Sequence, residues 1–266
     1  MTWWEAAILG IIQGVTEFLP VSSSGHLVIA QTALGVTKSS ITFDVMVHLG
    51  SLVAVLAALR ADWLPMVRGA LGSRSDAEGR RRILLVLIGS VPVGIVGLLF
   101  KDFLEPLFQS ARAAGTMLLV TGLVLWFADK TARQAKNPGG RRDLSQVSIQ
   151  DAVWIGCGQA LAVLPGLSRS GTTIAAGMVR GIDRESAARF AFLLSIPAIL
   201  GATVLELPAL FSGASDAPAL LIGAAAAAIS GYFAIATFLR FLRSGSLIGF
   251  AVYTWVVGLI VLILYW

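Results

Sequence analysis

The chain has 266 residues, of which 56% are hydrophobic and only 13% charged, with a mean hydropathy of +0.83. A soluble domain carries about 25% charged residues, so a water-soluble fold is excluded and an integral membrane protein is expected. The net charge of +5 does not point to nucleic acid: 16 of the 20 basic residues cluster between apolar runs, as cytoplasmic loops do under the positive-inside rule.

In chain order, residues 5–16 and 27–36 are apolar but about half the length that crosses a ~30 Å hydrocarbon core. With Pro20 and Gly25 between them, they are expected to form a re-entrant helix pair whose tip is 21–26. Spans are expected near 41–60, 83–100 and 113–128. A second re-entrant pair follows over 151–163 and 173–180, with its tip at 165–172, and then spans near 186–206, 218–240 and 245–266. The expected fold is therefore all-α, with six transmembrane helices and two re-entrant pairs in a single membrane domain over 1–266.

The polar stretches 72–82 and 135–143, inside the expected cytoplasmic segments 61–82 and 129–150, are charged and carry turn residues, which reads as solvated cytoplasmic linkers. That threading places both termini, and the loops near Lys38, 101–112 and 207–217, on the outer face. The N-terminus has neither a basic segment nor a small-residue cleavage site and does not read as a signal peptide. Cys157, the one cysteine, excludes an internal disulfide and is expected to be a small buried residue among glycines. Gly223, Ala224–Ala228 and Gly231 suit close helix packing, and small-residue faces of this kind would permit a homodimer. Trp3, Trp4, Trp63, Trp126, Trp255 and Trp266 are expected near span ends as an interfacial belt.

The chain repeats itself. Gln13-Gly-Val-Thr-Glu17-Phe-Leu-Pro-Val-Ser22-Ser23-Ser24-Gly25-His26 returns 146 positions later as Gln159-Ala-Leu-Ala-Val-Leu-Pro-Gly-Leu-Ser168-Arg169-Ser170-Gly171-Thr172. Gly10 falls on Gly156, Glu5 on Asp151 and Ala6 on Ala152. Repeat 1 runs over about 1–130 and repeat 2 over about 147–266, separated by the basic loop 130–148. Three spans per unit would turn the second copy upside down, so the two tips would enter from opposite faces and meet near the midplane.

The tips carry the residues fit for chemistry. Glu17 sits one helical turn after Gln13, and a carboxylate at membrane depth costs at least ~2.5 kcal/mol, so it needs a partner or a task. His26 closes a run of three hydroxyls at Ser22, Ser23 and Ser24, where Gly25 permits a sharp turn; a histidine there is an acid/base or nucleophile candidate. His48, in the next span, reads as a structural hydrogen bond. Ser168, Arg169, Ser170, Gly171 and Thr173 open a helix, which together make an anion cradle. The Arg169 fork matches two phosphate oxygens.

These paired segments, together with Arg189-Phe-Ala-Phe-Leu-Leu-Ser-Ile-Pro197, resemble the signature regions of the bacterial undecaprenyl-diphosphate phosphatase family, also called the bacitracin-resistance family, over essentially the whole chain. The resemblance implies removal of the terminal phosphate of undecaprenyl diphosphate in the bacterial plasma membrane. It carries catalytic or phosphate-binding roles onto Glu17, Ser23, His26 and Arg169, with Ser22, Ser24, Gly25, Ser168, Ser170, Gly171 and Thr173 as phosphate ligands. The family motif is (Glu/Gln)-x-x-x-Glu; here Gln13 replaces one carboxylate, which weakens a two-glutamate metal site. A divalent cation, Mg or Ca, would then rest on Glu17 with Gln13. Ser23 is the first candidate nucleophile, activated by His26; attack by His26 itself or by water are the rivals. From a different class, an alternating-access transporter or flippase of a lipid phosphate or small anion would also use an inverted repeat, but it leaves the pairing of histidine with serines unexplained.

Overall fold

A computed structural model describes residues 1–36, 41–72, 77–100, 107, 110–134, 141–206 and 217–265. Among them are eleven α-helices: α1 Trp3–Phe18, α2 Ser23–Ala33, α3 Ile41–Ala58, α4 Arg60–Ala70, α5 Ala77–Leu99, α6 Ala111–Gln134, α7 Ile149–Leu161, α8 Arg169–Val179, α9 Arg184–Leu205, α10 Ala217–Leu242 and α11 Ile248–Tyr265. Six of these, α3, α5, α6, α9, α10 and α11, are long and apolar enough to cross a membrane. The fold is thus all-α and multi-pass, and each of the six falls on an expected span. The expected loop around Lys38, residues 207–216 of the loop at 207–217, most of 101–112, residues 135–140 and Trp266 lie outside the described residues.

The short pairs start in matching ways. Thr2 caps α1 through a box in which its hydroxyl accepts from the Glu5 amide and the Glu5 carboxylate accepts from the Thr2 amide. Ser148 and Asp151 build the same box at the start of α7, 146 positions later. Boxes of this kind satisfy two amides that the first helical turn leaves without partners. Ser22 and Ser168 likewise cap α2 and α8, each accepting from the amide three residues on.

Packing continues the correspondence. α1 lies along α10, and α7 lies along α5. A Cβ added at Gly10 would overlap the Gly223 carbonyl, and one added at Gly156 would overlap the Gly89 carbonyl. Each crossing therefore depends on backbone meeting backbone, as small-residue interfaces in lipid allow. The small face of α10 is occupied within the chain: Gly50 of α3 meets Ala224, and Gly14 of α1 meets Ala227 and Gly231.

Four expectations are corrected. The segment 61–82 is not a simple loop, because α4 occupies Arg60–Ala70 and α5 begins at Ala77; Met66 is buried and Trp63 donates to the Leu56 carbonyl, which seats α4 against the bundle. Nor is the end of the second basic stretch a solvated linker. Arg142 grips both oxygens of buried Asp151 at 2.5 and 3.0 Å, and Arg180 joins it at 2.8 Å. Cys157 is exposed, because it lies one residue, or about 100° of helix, past the Gly156 face that meets α5. Trp255 sits in the middle of α11, against Gly122, and donates to the Leu119 carbonyl at 3.1 Å.

Gly10→Ala and Gly156→Ala are each expected to destabilise the detergent-solubilised protein by roughly 1–3 kcal/mol through overpacking. Gly97→Ala, whose Cβ would meet open space, should leave the thermal midpoint unchanged or slightly raised. Equal midpoints for all three variants would show that the crossings relax freely.

Candidate active site

The last turn of α1 carries Gln13 and Glu17 on one face, both buried. Gln13 Nε2 donates to Glu17 Oε2 at 2.9 Å. The chain then turns through Leu19–Ser22 and enters α2. Ser22 has φ +70°, and among the described residues it is the one non-glycine with positive φ. A residue held there is strained, and such strain clusters at functional sites. Here it accompanies a Ser22 carbonyl that accepts from His26 Nδ1 at 2.7 Å. Ser23, the first residue of α2, directs its hydroxyl to Glu17 Oε2 at 2.5 Å.

The second tip meets the first directly. Arg169 Nη2 ion-pairs with Glu17 Oε1 across 152 residues of sequence. Ser170 Oγ donates to the Leu19 carbonyl at 2.9 Å, and the Gly166 amide donates to Ser24 Oγ at 3.3 Å. The glycines allow this proximity: a Cβ at Gly25 would stand 3.4 Å from Gly166 Cα, and one at Gly171 would stand 3.3 Å from Pro20 Cβ. Thr121 of α6 braces the second tip by donating to the Gly166 carbonyl and accepting from the Ser168 amide.

These contacts divide the hydroxyls into two groups. Ser168 caps α8, Ser170 and Ser24 join the tips, Ser22 caps α2, and Thr173 donates to backbone carbonyls. All of these expected phosphate ligands lie at the tips, but their hydroxyls are engaged in building them. Ser23 differs, because its hydroxyl is held by a carboxylate. The expected Ser23–His26 pairing is not present. His26 Nδ1 is held by Ser22, and Nε2 lies 2.8 Å from the Tyr253 hydroxyl, with the two rings stacked at 5.6 Å. In the neutral ring, Nδ1 donates and Nε2 accepts. The group that reaches Ser23 is Glu17.

Tyr253 and Thr121 were not legible in the sequence, since both sit in apolar spans far from the motifs. His48 donates from Nδ1 to the Asp44 carbonyl at 2.7 Å, the expected structural bond, yet its Nε2 also stands 3.9 Å from Glu17 Oε2. Glu17 thus gathers Gln13, Ser23, Arg169 and His48.

No group of three His, Cys, Asp or Glu side chains suited to a metal occurs among the described residues. The donors at Glu17 are oxygens, however, and Gln13 Oε1 is buried with no hydrogen-bond partner. One carboxylate and one amide oxygen form a set that a hard cation such as Mg or Ca accepts when substrate phosphates complete its shell.

The family model described as bacitracin resistance protein BacA matches residues 6–260. A protein named undecaprenyl-diphosphatase from Methanobrevibacter smithii is 48% identical, with 97% of this chain and 95% of that protein aligned. Proteins of the same name from Halothermothrix orenii and Carboxydothermus hydrogenoformans are 43% and 42% identical, each with 99% of this chain and 98% of the relative aligned. With the match running from α1 into α11 and through both tips, the chain belongs to the BacA bacitracin-resistance family.

Proposed function

We propose that the chain hydrolyses undecaprenyl diphosphate to undecaprenyl phosphate and phosphate in the bacterial plasma membrane, recycling the lipid carrier of cell-wall synthesis and conferring bacitracin resistance. The observation that carries this reading is the convergence of Ser23, Glu17 and Arg169 from two tips into one buried cluster. A hydroxyl held by a carboxylate is the arrangement of an activated nucleophile and its base.

In this reading the terminal phosphate enters between the tips and draws the Arg169 guanidinium from Glu17. Glu17 Oε2 then stays hydrogen-bonded to the Ser23 hydroxyl as the nearby base. Ser23 Oγ attacks the terminal phosphorus and its proton passes to Glu17. The bond from phosphorus to the bridging oxygen breaks, and the lipid monophosphate leaves with the electron pair. Water then attacks that phosphorus, the bond to Ser23 Oγ breaks, Glu17 returns the proton to Oγ, and phosphate leaves. Arg169 and the N-terminus of α8 stabilise the charge on the transferred group. His26, held by Ser22 and Tyr253, stands beside the tip as a proton carrier. A divalent cation, Mg or Ca, would be held by Glu17 with Gln13 Oε1; when bound it would neutralise phosphate oxygens.

We also read α1–α2 and α7–α8 as re-entrant pairs of an inverted-topology repeat, with repeats over about 1–130 and 147–266. The matched caps and glycine crossings support this. Both termini then face outward, with 61–82 and 129–150 inside.

Ser23→Ala and Glu17→Gln are each expected to lower turnover by ~10² or more, with the double variant scarcely slower than the poorer single one, since members of one catalytic unit are not additive. Phosphate release from detergent-solubilised lipid diphosphate measures this. Multiplicative losses would assign the two residues to separate steps.

Arg169→Lys should be nearly as slow as Arg169→Ala in the same assay, because lysine keeps the charge but loses the fork. A lysine variant near wild-type turnover would reduce Arg169 to a general positive charge.

In a Cys157→Ser background, cysteines placed at Ser75 and Ser212 should label from opposite sides of the membrane. Labelling from one side would overturn the inverted arrangement.

A further inference from the structure

The ends of α3 and α10 and the start of α9 border a half-open cavity of about 280 Å³ lined by Ala58, Arg189, Ala236, Leu239, Arg240 and Arg243. Three of its six lining residues are arginines and none is acidic. The carboxylates stand behind the arginines: Arg189 donates to Asp62 at 2.7 Å and to Glu185 at 2.8 and 3.1 Å, and Arg243 donates to Glu185 at 3.0 Å. Those bonds fix the two guanidiniums in place before any ligand arrives, which removes part of the ordering entropy of binding. Arg82 reaches Asp62 at 3.8 Å and Glu78 at 2.6 Å, so both acidic neighbours on that side are already paired. The Arg240 side chain, exposed, has no hydrogen bond or ion pair among the described residues. It is the unbalanced charge of the cavity.

The rest of the lining is apolar, and the cavity lies where three apolar helices end, at the level of a membrane interface. Basic pockets between membrane helices at that level take anionic head groups. We propose that this cavity is a second anion site, sharing no lining residue with the Ser23–Arg169 tips, that receives a phosphate group, with Ala58, Ala236 and Leu239 accommodating an apolar attachment. The Arg240 fork, with the guanidinium hydrogens of Arg189 and Arg243 that Asp62 and Glu185 leave over, matches phosphate oxygens. A phospholipid head and free phosphate present the same group, and the lipid differs by also covering the apolar wall.

The test uses full-length Arg169→Ala protein in detergent, so that the tips contribute no arginine to the signal. It is titrated with short-chain phosphatidylglycerol, short-chain phosphatidylcholine and inorganic phosphate, and binding is read by thermal midpoint and native mass spectrometry. Phosphatidylglycerol is expected to bind more tightly than phosphatidylcholine, and adding Arg240→Ala should weaken it about fivefold, the scale of one arginine at a membrane surface. Arg240→Ala alone should retain wild-type lipid-diphosphatase turnover, which separates this site from the tips. If inorganic phosphate binds as tightly as the lipid and is equally sensitive to Arg240, the site stands and its ligand is the free anion. If Arg240→Ala leaves binding unchanged, or if phosphatidylcholine binds as well as phosphatidylglycerol, the proposal is overturned.

Discussion

A carboxylate buried in apolar helix sequence must be compensated, and the centre of this molecule is arranged around that requirement at Glu17. Gln13 and Ser23 supply hydrogen bonds from the same half of the chain, and Arg169 supplies the opposite charge from the other half. Removing one member of a buried pair strands the other, which is far more damaging than the pair's net contribution would indicate. The ion pair therefore dictates that the two tips meet, and the surrounding helices must bring them to one place.

Among apolar helices the irregular backbone of both tips must be satisfied by protein, since lipid offers no hydrogen bonds. The serines do most of this. Ser22 and Ser168 cap their helices, while Ser24 and Ser170 reach across to Gly166 and Leu19 in reciprocal fashion. Gly25 and Gly171 let the backbones come close enough for those bonds to form. A serine-rich motif thus reads as chemistry but is mostly architecture, with Ser23 the hydroxyl left to a carboxylate.

The basic segments have a comparable double role. Asp129 in α6, buried, collects Arg133, Arg184, Ser246 and the Leu247 amide, which ties α6 to the starts of α9 and α11. Asp151 does the same for Arg142, Arg180 and Ser148. Such carboxylates fix where helices end relative to one another, so their arginine partners staple the bundle. Arg240, like Arg60 and Arg68, has no such partner among the described residues.

The sequence by itself determined what depends on local chemistry. Hydropathy placed all six apolar helices, because an 18-residue apolar run needs no knowledge of its neighbours. The apolar pattern located the four short helices but set their starts two to four residues late, with α2 beginning at Ser23 and α8 at Arg169 inside the expected tips, while the offset of 146 located both tips with Gln13, Glu17, Ser23, His26 and Arg169. What only the tertiary structure decided depends on which helices are neighbours. Ser23 and His26 are three residues apart on one helix, yet their partners are Glu17 on α1 and Tyr253 on α11, the latter 227 positions from His26. Thr121, Trp255 and the exposed Cys157 follow the same rule, since each takes its role from the surface that another helix presents or withholds. Periodicity shows that a face is apolar or polar, but the contact it makes is set by packing the whole bundle.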